Sequence, residues 1–358
     1  MRQALMGALS ALSVALAGAA MAQTPAGPAV SQADYVLHDF QFESGGSLPQ
    51  LKLHYRTLGT PHHDASGQID NAVLILHGTG GSGAQFLRPQ FSGELFGAGQ
   101  LLDAGKYFII LPDDIGHGNS SKPSDGLRAR FPHYDYADMV RAEHSLVTEG
   151  LGVARLRLIM GTSMGCMHAF MWGEQWPEAS RALMPLACLP VAIAGRNRMW
   201  RRMVIEDIKA DPAWKGGDYA SEPADGLRAA ADILTIAGSA PHQMQKAMPT
   251  PADVDRHMAG RSFADLDAND LIYQVDSSRD YDPSAGLERI VAPVMWVNSA
   301  DDFINPPELG IAEREAPRLP HAQFVLLPIS DLTHGHGTHT WATAWKDYLA
   351  RLLAESGG

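Results

Sequence analysis

Leu156-Arg157-Leu158-Ile159-Met160-Gly161-Thr162-Ser163-Met164-Gly165 decides how this chain is read. An apolar run characteristic of a buried strand ends at a serine with a glycine two residues away on either side. The segment that follows, Cys166 to Trp176, has the pattern of a helix and is closed by Pro177. Gly-x-Ser-x-Gly between a strand and a helix is the signature of a tight turn that thrusts the serine hydroxyl outward on a strained backbone. Glycine is expected at Gly161 and Gly165 because a larger side chain would collide with the neighbouring strand and helix. A serine presented in this way is a candidate nucleophile, and the rest of the chain should then hold an acid, a histidine and an oxyanion hole.

Outward from that turn, strand and helix patterns alternate. Ala72 to Leu76, Tyr107 to Leu111, Val294 to Val297 and Phe324 to Leu327 are short continuous apolar runs, as expected of strands buried on both faces. Tyr35 to Phe42 and Leu51 to Arg56 read as an antiparallel beginning. Helical stretches fall at Tyr136 to Leu151, Pro307 to Ala316 and Thr340 to Leu353. The pattern predicts a mostly parallel, doubly wound α/β sheet. Arg181 to Cys188 is a further strand candidate, although Pro185 is awkward inside a central strand. Residues 189–288 interrupt the alternation and read as an inserted helical cap, leaving 34–188 and 289–358 as the core. Met199 and Met203, spaced i,i+4, are expected in the cap's own core.

Residues 1–22 read as a secretory signal peptide: Met1-Arg2, an apolar stretch from Ala4 to Ala19, and an Ala20-Met21-Ala22 cleavage site. Residues 23–33 read as a disordered leader. The expectation is a periplasmic or secreted protein without a stable membrane anchor. The formal charge is −12, with no basic run, which argues against nucleic acid and anionic membranes as partners. Cys166 and Cys188 are expected to be small buried residues rather than a bridge, a bridge being the minority reading in an oxidising compartment.

The chemistry follows from order along the chain. After the strand Val294 to Val297 comes Asn298-Ser299-Ala300-Asp301-Asp302-Phe303-Ile304-Asn305-Pro306. An acid at the C-terminal end of a strand is placed to orient a histidine. Asp302 is preferred, with Asp301 as its rival. Thr333-His334-Gly335-His336-Gly337-Thr338-His339 follows the last strand, and His336 is the candidate base ahead of His334 and His339. A serine hydroxyl needs such an imidazole to take its proton. The oxyanion donors are assigned to the Met164 amide and to Thr79 in His77-Gly78-Thr79-Gly80-Gly81, with Gly80 as the second choice there. Phosphate binding by that loop is disfavoured because no lysine follows in P-loop spacing. Reading the three histidines as a metal cluster fails for want of a second ligand group, and His117 is expected to be structural. No cofactor and no metal are called for.

Placed together, these residues resemble the homoserine O-acetyltransferase-like branch of the α/β-hydrolase superfamily. The resemblance runs from about Leu51 to Leu353. It rests on Lys106 to Ile110, Asp138 to Ala142, Gly161 to Met167, Asp211-Pro212-Ala213-Trp214-Lys215-Gly216-Gly217-Asp218-Tyr219, Asp302 to Pro306 and Gly335-His336. It implies the α/β-hydrolase fold with a helical cap, and puts nucleophile, acid and base on Ser163, Asp302 and His336. The chain departs from the branch's acyltransferases at three points. Cys166 follows Ser163-Met164-Gly165 where they usually have Gly-Gly after Ser-Met. His77-Gly78-Thr79-Gly80 replaces Leu-Thr-Gly, and Gly337 stands where an acid usually follows the histidine. Acyl-CoA is a cytoplasmic pool, so an exported enzyme has water as its available acceptor. The expected function is therefore hydrolysis of an ester or related acyl bond in a small-molecule substrate through an acyl-serine. The alternatives are an O-acyltransferase using a hydroxyl acceptor and a non-catalytic binding protein. A cap of this kind offers a surface for a homodimer, without an apolar stripe that demands one.

Overall fold

The computed structural model describes residues 28–357. Its centre is an 8-stranded sheet in the order β1-β2-β4-β3-β5-β6-β7-β8. The strands are β1 (Val30–Gln41), β2 (Ser47–Leu58), β3 (Ala72–Leu76), β4 (Phe108–Pro112), β5 (Leu158–Thr162), β6 (Leu183–Leu186), β7 (Val294–Ser299) and β8 (Ala322–Leu327). β1 pairs antiparallel with β2, and β2 with β4; every pairing from β4 through β8 is parallel. The apolar runs are buried on both faces because the sheet has a core on each side. Leu74 and Leu76 of β3 face one hydrophobic cluster, Val73 and Ile75 the other. The first core packs under α2 (Tyr136–Ser145) and α3 (Met164–Gln175), while the second takes α1 (Pro89–Leu95) and the C-terminal α10 (Lys346–Glu355). This is the α/β-hydrolase arrangement.

Between β6 and β7 lies a helical insertion built from α4 (Gly195–Ala210), α5 (Ala224–Gly238), α6 (Pro241–Ala247), α7 (Pro251–Ala259) and α8 (Ala268–Asp276). After β7 the chain makes only a turn at Pro307–Leu309 and the short α9 (Ile311–Glu315), less helix than Pro307 to Ala316 suggests. Gly310, at φ 59°, separates the two. β6 tolerates Pro185: it pairs with Gly161 of β5, and the register with β7 is recorded at Leu183 and Leu186, on either side of the proline.

Three expectations need correction. Residues 30–33 are not leader but the start of β1, paired with Leu58 to Tyr55 of β2. The signal-peptide reading of residues 1–22 and the leader reading of residues 23–27 lie outside the described residues. Met199 and Met203 are 57% and 44% exposed, because the buried stripe of α4 runs through Trp200, Arg201, Val204, Ile205 and Ile208 instead. Cys166 and Cys188 do form a disulfide, with Cα atoms 5.8 Å apart. Cys166 lies in the first turn of α3 and Cys188 just beyond β6, so parallel β5 and β6 bring the two positions together.

Candidate active site

Ser163 stands between β5 and α3 with φ 55° and ψ −108°, a backbone that side chains rarely adopt. Its amide donates to Leu186 O (2.9 Å), and the Gly165 amide donates to His77 O (2.9 Å), which ties the turn to β6 and to the end of β3. A Cβ at Gly161 would strike the Gly165 carbonyl, and one at Gly165 would strike Leu76. The two glycines are there to let strand, turn and helix touch.

Ser163 Oγ lies 2.8 Å from His336 Nε2, and His336 Nδ1 lies 2.9 Å from Asp302 Oδ2. All three residues are buried. Asp302 also accepts from the amides of Ile304 (2.7 Å) and Asn305 (3.2 Å) and from the Asn305 side chain (3.0 Å). Burial works against its ionisation, but the His336 imidazole and the Asn305 donors outweigh it, and the carboxyl is held below the ordinary aspartate range. The carboxylate is therefore charged and fixed.

The rival acid, Asp301, faces elsewhere. It accepts from the Gly335 amide (3.0 Å) and from the Ser299 hydroxyl, which anchors the loop that carries His336. The other two histidines of that loop also have separate places. His334 stacks on Trp341 at 4.1 Å between ring centroids. His339 meets His336 edge-on at 5.2 Å. Burial pushes its pKa down to about 3, so it is neutral beside the His336 imidazole.

The loop after β3 supplies the opposite wall. Gly78 approaches the Ser163 side chain closely, and the amides of Thr79 and Met164 have no acceptor within the described residues. His77, which the sequence reading passed over, fixes this loop. Its Nδ1 bonds its neighbour's carbonyl, Gly78 O (2.8 Å), and its Nε2 accepts from the Asp114 amide (3.0 Å). His117 is buried with Nδ1 on Ile115 O (2.9 Å) and packs on His77 at 5.0 Å between ring centroids.

A cavity of about 780 Å³ opens over Ser163 between these loops and the helical insertion, with Thr79, Gln85, Trp200, Arg201 and His336 in its lining. Arg201 is unusual there. It is 1% exposed, its Nε donates to Asn197 Oδ1 (3.0 Å), its Nη1 has no hydrogen-bond partner among the described residues, and its guanidinium lies 4.5 Å from the Trp200 ring centroid. No carboxylate within the described residues pairs with it. Nothing in the run Arg196-Asn197-Arg198-Met199-Trp200-Arg201-Arg202 distinguishes the buried arginine from its neighbours.

Behind the α3 helix, Asp114, Glu143 and His168 cluster closely enough to share a cation and are fully buried. His168 Nδ1 is 2.7 Å from Glu143 Oε1, and the Trp172 indole donates to Glu143 Oε2 (2.6 Å). Burial raises the Glu143 carboxyl to about 7 and lowers His168 to about 4, so the imidazole is neutral and Glu143 holds its proton through mildly acidic pH.

The model of the alpha/beta hydrolase fold family matches residues 71–330. A homoserine O-acetyltransferase of Pelobacter propionicus is 32% identical over 309 residues, covering 75% of this chain and 81% of its own. The chain belongs to the α/β-hydrolase superfamily, in its homoserine O-acetyltransferase-like branch. A protein of Methanothermobacter thermautotrophicus described as a probable acyltransferase is 28% identical over 293 residues, 82% of this chain and 89% of that one. Two solved structures share the fold. A homoserine O-acetyltransferase from Bacillus anthracis has TM-score 0.78 at 21% identity, covering 90% of this chain and 97% of its own. An acetylester hydrolase from Corynebacterium glutamicum has TM-score 0.76 at 22% identity, covering 90% and 96%. Proteins of this fold thus carry both hydrolase and acyltransferase names.

Proposed function

We propose that this α/β-hydrolase is a serine hydrolase that cleaves an ester or related acyl bond outside the cytoplasm. One observation carries the reading: a buried hydrogen-bonded line from Ser163 Oγ through His336 to Asp302, beside a loop and a helix start whose Thr79 and Met164 amides have no acceptor among the described residues. In the first half-reaction Ser163 Oγ attacks the acyl carbon while His336 Nε2 takes its proton. The carbonyl oxygen becomes an oxyanion, held by the Thr79 and Met164 amides. Collapse breaks the bond to the alcohol, which leaves with the proton from His336, and the acyl group stays on Ser163. Water then attacks through the same imidazole, releasing the acid and restoring the serine. Asp302 keeps Nδ1 protonated and stabilises the transient imidazolium.

Water as acceptor is supported by the loop His77-Gly78-Thr79-Gly80 and by Gly337, where the chain departs from the acyltransferase pattern. Export is supported by the leader-like start of the sequence and by the disulfide, since such bridges persist in oxidising compartments. The second reading, transfer of the acyl group to a hydroxyl acceptor, is favoured by the names of the relatives. A fluorophosphonate should label the protein, and Ser163→Ala should abolish both labelling and ester turnover; labelling that survives in that variant defeats the assignment. Adding candidate alcohols to an activated ester separates the two readings, because only transfer yields a new ester.

A further inference from the structure

His336 ends a stretch after β8, residues 328–336, that belongs to no helix and to no strand of the sheet. Its place beside Ser163 is therefore set by individual contacts, and a misplacement of about 1 Å at a reacting group costs on the order of a hundredfold in rate. The sheet side supplies one hold, the Gly335 amide on Asp301 Oδ2 (3.0 Å). The helical insertion supplies the other. Gln243 of α6 donates through Nε2 to two carbonyls of the stretch, Asp331 O (3.0 Å) and Thr333 O (2.9 Å). The turn between α5 and α6 also presses on Gly335, whose φ is 58°: a Cβ there would lie 2.8 Å from Ser239 O. Internal bonds carry this hold on to the histidine. Thr333 Oγ1 accepts from the Ser330 amide (3.1 Å), while Thr338 Oγ1 accepts from the His334 amide (2.8 Å) and donates to Gly335 O (2.7 Å). His242 and Lys246 reach Asp331 Oδ1 at 3.4 and 3.5 Å, but all three side chains are exposed and such pairs contribute little.

We propose that Gln243 is a positioning residue for His336, an inference that rests on the serine-hydrolase reading. Gln243 is not in the lining of the cavity over Ser163, so it acts through the 331–335 backbone and not on substrate. Leu234, Ala237 and Gly238, at the end of α5, do line that cavity. One continuous piece of the insertion thus forms the roof over the substrate and, a few residues later, the second support of the base. Without the Gln243 amide, the Asp331 and Thr333 carbonyls turn to water and the stretch keeps only its hold on Asp301. The imidazole then spends less of its time in line between Asp302 and Ser163. This affects the chemical steps, which need the proton transfer, and leaves substrate binding in the cavity as it was.

The test is Gln243→Met, which keeps the length of the side chain and removes its donors, in purified protein with its disulfide intact. Steady-state kinetics on the acetyl ester of a chromogenic alcohol are read beside the rate at which a small fluorophosphonate labels Ser163, with rates counted per reactive serine at complete labelling. The expected result is a fall of about tenfold to a hundredfold in kcat, a matching fall in the labelling rate, and KM within about twofold of the parent. Gln245→Met, an exposed position on the same helix, should leave all three unchanged. Gln243→Asn withdraws the amide by one methylene and should show the same split, which serves if the methionine variant does not fold. Parent-like kcat and labelling rate in a folded Gln243 variant, or a rise in KM at constant kcat, overturns the positioning role and leaves the hydrolase reading intact. Wild-type protein that neither turns over the ester nor reacts with the fluorophosphonate at Ser163 takes down both.

Discussion

Arg201 carries a charge that the described protein does not balance. A guanidinium buried without a carboxylate costs folding free energy, and active sites are where such costs are tolerated. Arg201→Met should raise the melting temperature by roughly 2 °C or more while lowering kcat/KM; a variant that is less stable than the parent would show that the guanidinium is a structural fixture instead. The two neighbouring aspartates invite a paired test. Asp302→Asn removes the group that fixes the imidazole tautomer and should lower kcat by roughly 10⁴. Asp301→Asn disturbs only the Gly335 amide and the Ser299 hydroxyl and should cost far less, as steady-state kinetics on one ester will read. Motif, chain order and strand ends all converge on Ser163, Asp302 and His336 in the sequence, and the fold brings these three within hydrogen-bonding distance. Arg201 was not, since helix periodicity offers several arginines and only tertiary packing selects one for burial. His77 was quoted as part of a glycine-rich loop, but its hydrogen bond to the Asp114 amide joins residues 37 apart and leaves no local signal.

At the scale of elements, the nucleophile turn is held from three directions: β6 through Leu186, β3 through His77, and the Cys166–Cys188 bridge from within α3. The bridge closes 22 residues of chain, for which loop-closure entropy gives about 3 kcal/mol as an upper value. The double variant Cys166→Ala, Cys188→Ala should lose up to that amount in urea unfolding, and thiol reduction of the parent should reproduce the loss. Equal stability in both would mean that packing alone holds the helix to β6. Strands were readable because a continuous apolar run bounded by turns has few other uses in an α/β chain. Helix ends were less so: Tyr136 to Leu151 gives an α-helix only to Ser145, followed by a wider turn at Leu146–Gly150. The pairing of the cysteines depends on β5 and β6 lying side by side, a long-range fact that spacing does not contain. Met199 and Met203 satisfied a helical spacing, yet four arginines on α4 left the choice of buried face to the partners it packs on.

The molecule as a whole should show a pH dependence that originates away from its chemistry. Glu143 keeps its proton up to about 7 in the folded chain, against an ordinary value of 4.5. The folded state therefore binds the proton more tightly than the unfolded one. That stabilising contribution is complete below pH 4.5 and is lost as the pH rises through 7. His168, lowered to about 4, works in the opposite sense, favouring the fold above its ordinary 6.5 and losing that contribution as pH falls through 4. Glu143→Gln removes the falling contribution and leaves that of His168, so unfolding free energy should climb more steeply with pH between 4.5 and 6.5 than in the parent, measured by urea titration; an unchanged slope would remove Glu143 as a contributor. The doubly wound sheet and its helical insertion were legible from alternation alone, whereas this buried cluster draws on α2, α3 and the loop after β4 and is visible only when they are packed.

One feature of the connectivity has a temporal side. Ser163 and His336 touch across 173 residues, and α10, beyond the histidine, is held against the sheet by Arg157, whose guanidinium bonds Leu353 O and Ser356 Oγ at 2.9 Å each. A ribosome therefore makes Ser163 long before it makes His336, and the Arg157 clamp on α10 can close only later still. On the proposed mechanism, a growing polypeptide that stops short of His336 carries a serine with no imidazole to take its proton.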